Sequence, residues 1–208
     1  MNFRYWHKER NQVNWVKDKI IQFPRNDKET QRNLKLIKMA VSTVAAIFIV
    51  LLYCMIFFFS DQNGETSGSL SHKVTEAIVV EIEEITQRNW TDELRASIIS
   101  YWENPVRKMA HFSEYAVLGI LVFILFIPWV TADGWKRKKL KWNLIVVIWV
   151  FISASLDEWH QTFVSDRCGN FWDVLLDTSG GFFGLCMCLL AVSIIKWITL
   201  LKEKKDAV

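Results

Sequence analysis

From Ile37 to Phe59 the chain runs for 23 residues with only Lys38, Ser42 and Thr43 as charged or aliphatic-hydroxyl interruptions, all near its start. That is long enough to cross a hydrocarbon core of about 30 Å with some tilt. Three more apolar runs follow, from Met109 to Val130, from about Trp142 to Leu156 and from about Phe171 to Leu200, each with charge at one end. Between the first two runs the pattern changes to amphipathic spacing. Val74, Ile78, Ile82 and Ile85 form one apolar stripe, and Leu94 and Ile98 form another behind Thr91, an N-cap candidate followed by Asp92 and Glu93. The pattern predicts an all-α polytopic membrane protein, a bundle of four transmembrane helices with short extracytoplasmic amphipathic helices. The predicted organisation is a basic arm over 1–36, a first span over 37–59, an acidic segment over 60–104, a three-helix domain over 105–200 and a short tail over 201–208. The first apolar run begins far from the N-terminus and has no small-residue cleavage site, so it is expected to stay as a span rather than act as a signal peptide.

Charge orients this bundle. Residues 1–38 carry ten Lys/Arg against four acids, 60–104 three against nine, and 105–208 twelve against nine. Basic residues flank one side of every hairpin: the N-terminal arm, the stretch Lys136, Arg137, Lys138, Lys139 and Lys141, and the tail with Lys196, Lys202, Lys204 and Lys205. The positive-inside rule then predicts cytoplasmic N- and C-termini, with the acidic segment and the loop around 160–170 outside. In the arm, Phe3, Trp6, Val13, Val16 and Ile20 recur among basic residues, as in a helix lying on an anionic leaflet or a solvated tail that only sets topology. Of 11 tryptophans, Trp102, Trp129, Trp135, Trp142, Trp172 and Trp197 fall near the ends of apolar runs, suited to the headgroup level. The four cysteines have no metal-knuckle or redox spacing.

The remaining polar chemistry gathers at one predicted depth. Asn104 as N-cap and Pro105 as first helical residue would put Arg107 and Lys108 in a first turn, where the helix dipole disfavours cations. Asp157 and Glu158 would end the third span, where it disfavours acids. Helical spacing puts Arg107, His111, Glu114 and Leu118 on one face, Ser153, Asp157, His160 and Gln161 on a second, and Asp173, Asp177, Gly180, Gly181 and Gly184 on a third. The Gly180–Gly184 pair is a small-xxx-small step for close helix approach. Charges that break local rules together can offset one another across helix interfaces.

At these residues the chain resembles the VanZ-like family of bacterial membrane proteins. The resemblance lies in the runs from Arg107 to Gly119 and from Ser155 to Phe163, and continues through Arg167, Asp173, Asp177 and Gly180, spanning 105–190. Two departures stand out: Ser165 and Asp166 replace a Pro-Gly-type turn, and Asp177 stands where Asn is common. The family takes its name from a member that lowers susceptibility to teicoplanin, a lipid-tailed glycopeptide. The resemblance therefore implies a protein of the bacterial cytoplasmic membrane, acting in the cell envelope, with altered teicoplanin susceptibility as its phenotype.

Three readings of the constellation stand open. In the first, Arg107, Lys108, His111, Gln161 and Arg167 bind an anionic headgroup of a membrane lipid or lipid-linked envelope molecule. In the second, the protein is an enzyme with catalytic candidates among His111, Glu114, Asp157, Glu158, His160 and Asp173; a variant of it places a divalent metal on Glu114, Asp157, Glu158, Asp173 and Asp177. In the third, the charges form a structural salt-bridge network without a ligand. Nucleophile-elbow, phosphate-loop and zinc signatures are all missing, so no cofactor, no metal and no nucleic-acid partner is expected, and catalysis ranks below binding.

Overall fold

The computed structural model describes residues 28–132 and 135–206, all but a few of them helical. Five helices follow in order: α1 (Lys28–Ser60), α2 (Gly64–Thr86), α3 (Asp92–Ala132), α4 (Trp135–Gln161) and α5 (Phe171–Asp206). Four of them are long and apolar enough to cross a membrane, over Lys28–Ser60, Asp92–Trp129, Leu140–Gln161 and Phe171–Lys202. The fold is the predicted all-α class with four spans. Two compact units divide the chain, residues 1–40 and 41–208. In the first, the described part is the polar start of α1, exposed over nearly its whole length. The arm residues Phe3 to Ile20 lie outside the described residues, as do the side chains of the basic run 136–139.

Within 41–208 a core of Tyr115, Leu118, Val122, Val146, Val150, Ala154, Val174 and Leu185 joins α3, α4 and α5, and Ile49, Leu52 and Ile56 bring in α1. The helices meet in two ways. At the seam of α3 and α5, a Cβ added to Gly180 or Gly184 would overlap the backbone carbonyls of Phe112 or Ala116, so the glycines set the interhelical distance. At the seam of α1 and α4 side chains mediate. The Tyr53 hydroxyl shares a 2.6 Å hydrogen bond with Ser153 Oγ and accepts from Trp149 Nε1 at 2.8 Å. Ser42 Oγ likewise donates to the Leu125 carbonyl of α3 at 2.7 Å.

The second span starts earlier than the sequence predicted. α3 begins at Asp92 and carries Pro105 in its interior, so Asn104 caps nothing and Arg107 and Lys108 lie about four turns inside the helix. The helix-dipole conflict proposed for those two cations therefore does not exist. The start is fixed at Thr91, whose Oγ1 accepts from Leu94 N at 3.3 Å, with Asp92 and Glu93 in the first turn. Pro105 removes one backbone donor without ending the helix.

α2 is the amphipathic segment that the sequence predicted, a single helix of 23 residues whose apolar stripe is largely exposed. Val74, Ile78, Ile82 and Ile85 are exposed, while Ser71, Thr75 and Val79 are buried. Burial of the hydroxyls is tolerated because Ser71 and Thr75 donate back to the carbonyls of Ser67 and Ser71, at 3.0 and 2.7 Å. Past its C-terminus, Arg95 of α3 grips Glu83 at 3.0 Å, and Trp90 N donates to Glu83 at 2.7 Å. These bonds hold the Glu83 carboxyl below its ordinary pKa, chiefly through Arg95.

Candidate functional site

Where α3, the end of α4 and the start of α5 converge, a cavity of about 270 Å³ opens. Its walls include Asn104, Arg107, Lys108 and His111 from α3, Glu158 and Gln161 from α4, Asp173 and Asp177 from α5, and Asp166 to Cys168 from the α4–α5 loop. Most of the polar residues singled out in the sequence are thus brought together.

The loop is built by local hydrogen bonds. Asn170 caps α5, its side chain accepting from Trp172 N at 3.1 Å and its carbonyl from Asp173 N at 3.0 Å. Its own N–H donates to Glu158 Oε2 at 2.9 Å. Glu158, an acid at a helix C-terminus, is therefore stabilised by a specific amide across the loop. Asp166 adopts φ 59°, the left-handed conformation that a glycine occupies without strain, at the place where the sequence departs from a Pro-Gly-type turn. Arg167 then reaches back to the end of α1, donating from Nη2 to the Phe59 carbonyl at 3.2 Å.

Charge in the cavity is unevenly compensated. Lys108 Nζ pairs with Asp173 Oδ1 at 2.6 Å, and Asp173 in the first turn of α5 is favoured by the helix dipole as well. Among the described residues the Arg107 guanidinium donates only to the Asn104 side chain, at 3.2 Å, and the Arg167 guanidinium only to the Phe59 carbonyl. Among the described residues neither arginine has a carboxylate within 4.0 Å. Partial burial and the neighbouring Arg107 guanidinium pull Arg167 below the usual arginine pKa, the direction expected of a cation lacking an anion. Cross-helix neutralisation thus reaches Lys108 and Asp173 and stops there.

Acidic groups gather beside the arginines, on the walls of the cavity and of its neighbouring grooves. Asp177, 1% exposed, leaves Oδ1 without a partner, as do buried Nδ1 of His111 and Oε2 of Glu114, which face each other at 3.7 Å. Asp157 accepts weakly from Gln161 Nε2 at 3.4 Å and shares a groove wall with Tyr115. Tyr115, which sequence alone suggested as packing, is buried in the core.

Two apolar grooves flank the cavity. One, of about 160 Å³, runs between α2 and α3, where Leu70, Val74, Val106 and Ala110 meet Arg107, His111, Glu114 and Arg167. Another, of about 490 Å³, lies between α1 and α4 along Tyr53, Ile56, Phe57, Leu156 and Trp159, with Asp157 and His160 on its wall. His160 therefore stands apart from His111. Its ring lies 4.7 Å from that of Phe57, and Nε2 is 3.9 Å from Asp61. Arg107 and Arg167 were singled out in the sequence, but their lack of carboxylate partners and the part played by Tyr53 had no sequence signal, because each depends on which helix comes alongside.

The VanZ/LLP1 family model matches residues 45–193. The chain belongs to this VanZ family. The match takes in the second half of α1, all of α2 to α4 and α5 as far as residue 193, so the family domain includes most of the first span and the α2 segment, beyond the 105–190 blocks that carried the resemblance. No curated protein and no solved structure matches the chain significantly. In this VanZ-family chain the polar cavity and both grooves lie inside the matched region.

Proposed function

We propose that the protein binds the anionic headgroup of a lipid or lipid-linked envelope molecule, with the headgroup in the polar cavity and the chain in an adjoining apolar groove. One observation carries the reading: Arg107, His111 and Arg167 line both the polar cavity and the groove between α2 and α3. Two guanidiniums without carboxylate partners, at the boundary of polar and apolar space, match a phosphate or carboxylate on a hydrophobic tail. The lysine distribution supports cytoplasmic termini and an outward-facing cavity in the bacterial cytoplasmic membrane. Family membership supports a contribution to teicoplanin susceptibility in the cell envelope. Teicoplanin and lipid-linked wall precursors would both present an anion at that depth.

The test is a melting series on the purified protein in detergent with phosphatidylglycerol, undecaprenyl phosphate or teicoplanin. A ligand-dependent rise in Tm is expected. Arg107→Gln and Arg167→Gln should each weaken binding about tenfold or more, as loss of a charge-assisted hydrogen bond of about 1.5–3 kcal/mol requires. No shift with any of the three removes the reading. Orientation is read at Cys168, an exposed thiol on the cavity wall, which should label from outside intact cells.

A further inference from the structure

We infer that His111 and Asp177 of the polar cavity, together with Asp157 from the wall of the adjoining groove, form a binding site for one divalent metal ion of the zinc or manganese type. One ligand atom from each of the three lies within 4.8 Å of the others. Donors about 2.1 Å from a common ion in a tetrahedral array stand about 3.4 Å apart, so small side-chain rotations close the set. The three residues come from α3, α4 and α5, and the glycine seam between α3 and α5 fixes two of those backbones.

Acidic side chains alone would not point to an ion. The second observation is Asp177, which is 1% exposed, lines the cavity and leaves Oδ1 without a hydrogen-bond partner. Among the described residues neither Asp177 nor Asp157 has a basic nitrogen within 4.0 Å, because Lys108 is taken by Asp173 and the arginines reach elsewhere. Two buried carboxylates without a cationic partner are expensive, and a dication neutralises both. His111 completes the set with a nitrogen donor, which favours zinc over magnesium or calcium, while the two carboxylates also suit manganese. Its Nδ1 faces Glu114 at 3.7 Å, leaving Nε2 for the ion and Glu114 as the carboxylate that orients the ring. Three protein donors leave a position open toward the cavity. On the headgroup reading that position faces the anion, but the ion site does not depend on it.

The experiment uses the full chain in detergent, stripped with chelator, dialysed, and titrated with zinc, manganese or magnesium chloride without lipid. Bound metal is counted by emission spectrometry and Tm is followed. About one zinc or manganese ion per chain and a saturable rise in Tm are expected. Asp177→Asn should lose both, yet when metal-free melt no lower than the stripped wild type, because it removes a buried charge. His111→Gln should lose both as well and decides the matter if Asp177→Asn does not fold. Glu114→Gln should bind about 10–100-fold more weakly, as for an orienting carboxylate. Retention of stoichiometric metal by both ligand variants, failure of the wild type to bind any ion, or a magnesium response equal to that of zinc and manganese would overturn the assignment. Because no lipid is present, a negative result here leaves the headgroup reading standing, and a failed lipid melt leaves this one.

Discussion

The seam between α3 and α5 and the seam between α1 and α4 solve the same packing problem in opposite ways. At the first, glycines bring backbones into contact and leave no adjustable side chain between them. At the second, Tyr53, Ser153 and Trp149 hold the helices together by hydrogen bonds while an apolar groove of about 490 Å³ remains open beside them. In a bilayer hydrophobicity adds little to helix association, so close contact and buried polar bonds are the two devices left. Close contact gives a fixed distance and serves the seam that carries His111 and Asp177. Side-chain bonds tolerate movement and serve the seam that opens sideways.

The sharpest test of the comparison is Gly184→Leu, which should destabilise the bundle by about 3 kcal/mol or more, since the obstruction is the Ala116 backbone rather than a flexible side chain. Loss of a monodisperse peak in size-exclusion chromatography would report it, and an unaltered Tm would refute the backbone-contact account. Tyr53→Phe should cost about 1 kcal/mol, the worth of an ordinary buried hydrogen bond, and leave the α3–α5 seam intact by hydrogen exchange. Gly68→Ala supplies the contrast within a helix: an added Cβ meets only Glu103 Oε1 at 3.7 Å, so the gain in helix propensity should raise stability by about 0.5–1 kcal/mol. The opposite sign at Gly184 and Gly68 is the point of the pair. The smallest effect concerns neither seam. Glu83 has a lowered folded-state pKa, so its contribution is complete above the ordinary carboxylate value of 4.5 and disappears as pH falls through the lower folded value. Trp90 fluorescence should follow that loss in the wild type and not in Glu83→Gln, with both seams unchanged.

Much of this was legible beforehand. The four spans, the glycine step on α5, the Thr91 start and the convergence of polar faces all follow from local rules of length, spacing and capping. One local reading failed. Pro105 looks like a helix start, but α3 is already nucleated at Thr91, so the proline sits inside a helix that began upstream.

The same division applies to the site. The sequence by itself determined which charged residues share a membrane depth and on which helical faces they sit, because helix periodicity and bilayer thickness leave little freedom. Only the tertiary structure decided the pairing. Among the described residues it gave Lys108 to Asp173, left Arg107 and Arg167 without carboxylates, turned His160 toward Phe57, and set Asp157 and Asp177 beside His111. Which charges compensate one another depends on separations of a few ångströms between different helices, and nothing in the order of residues along one helix encodes them.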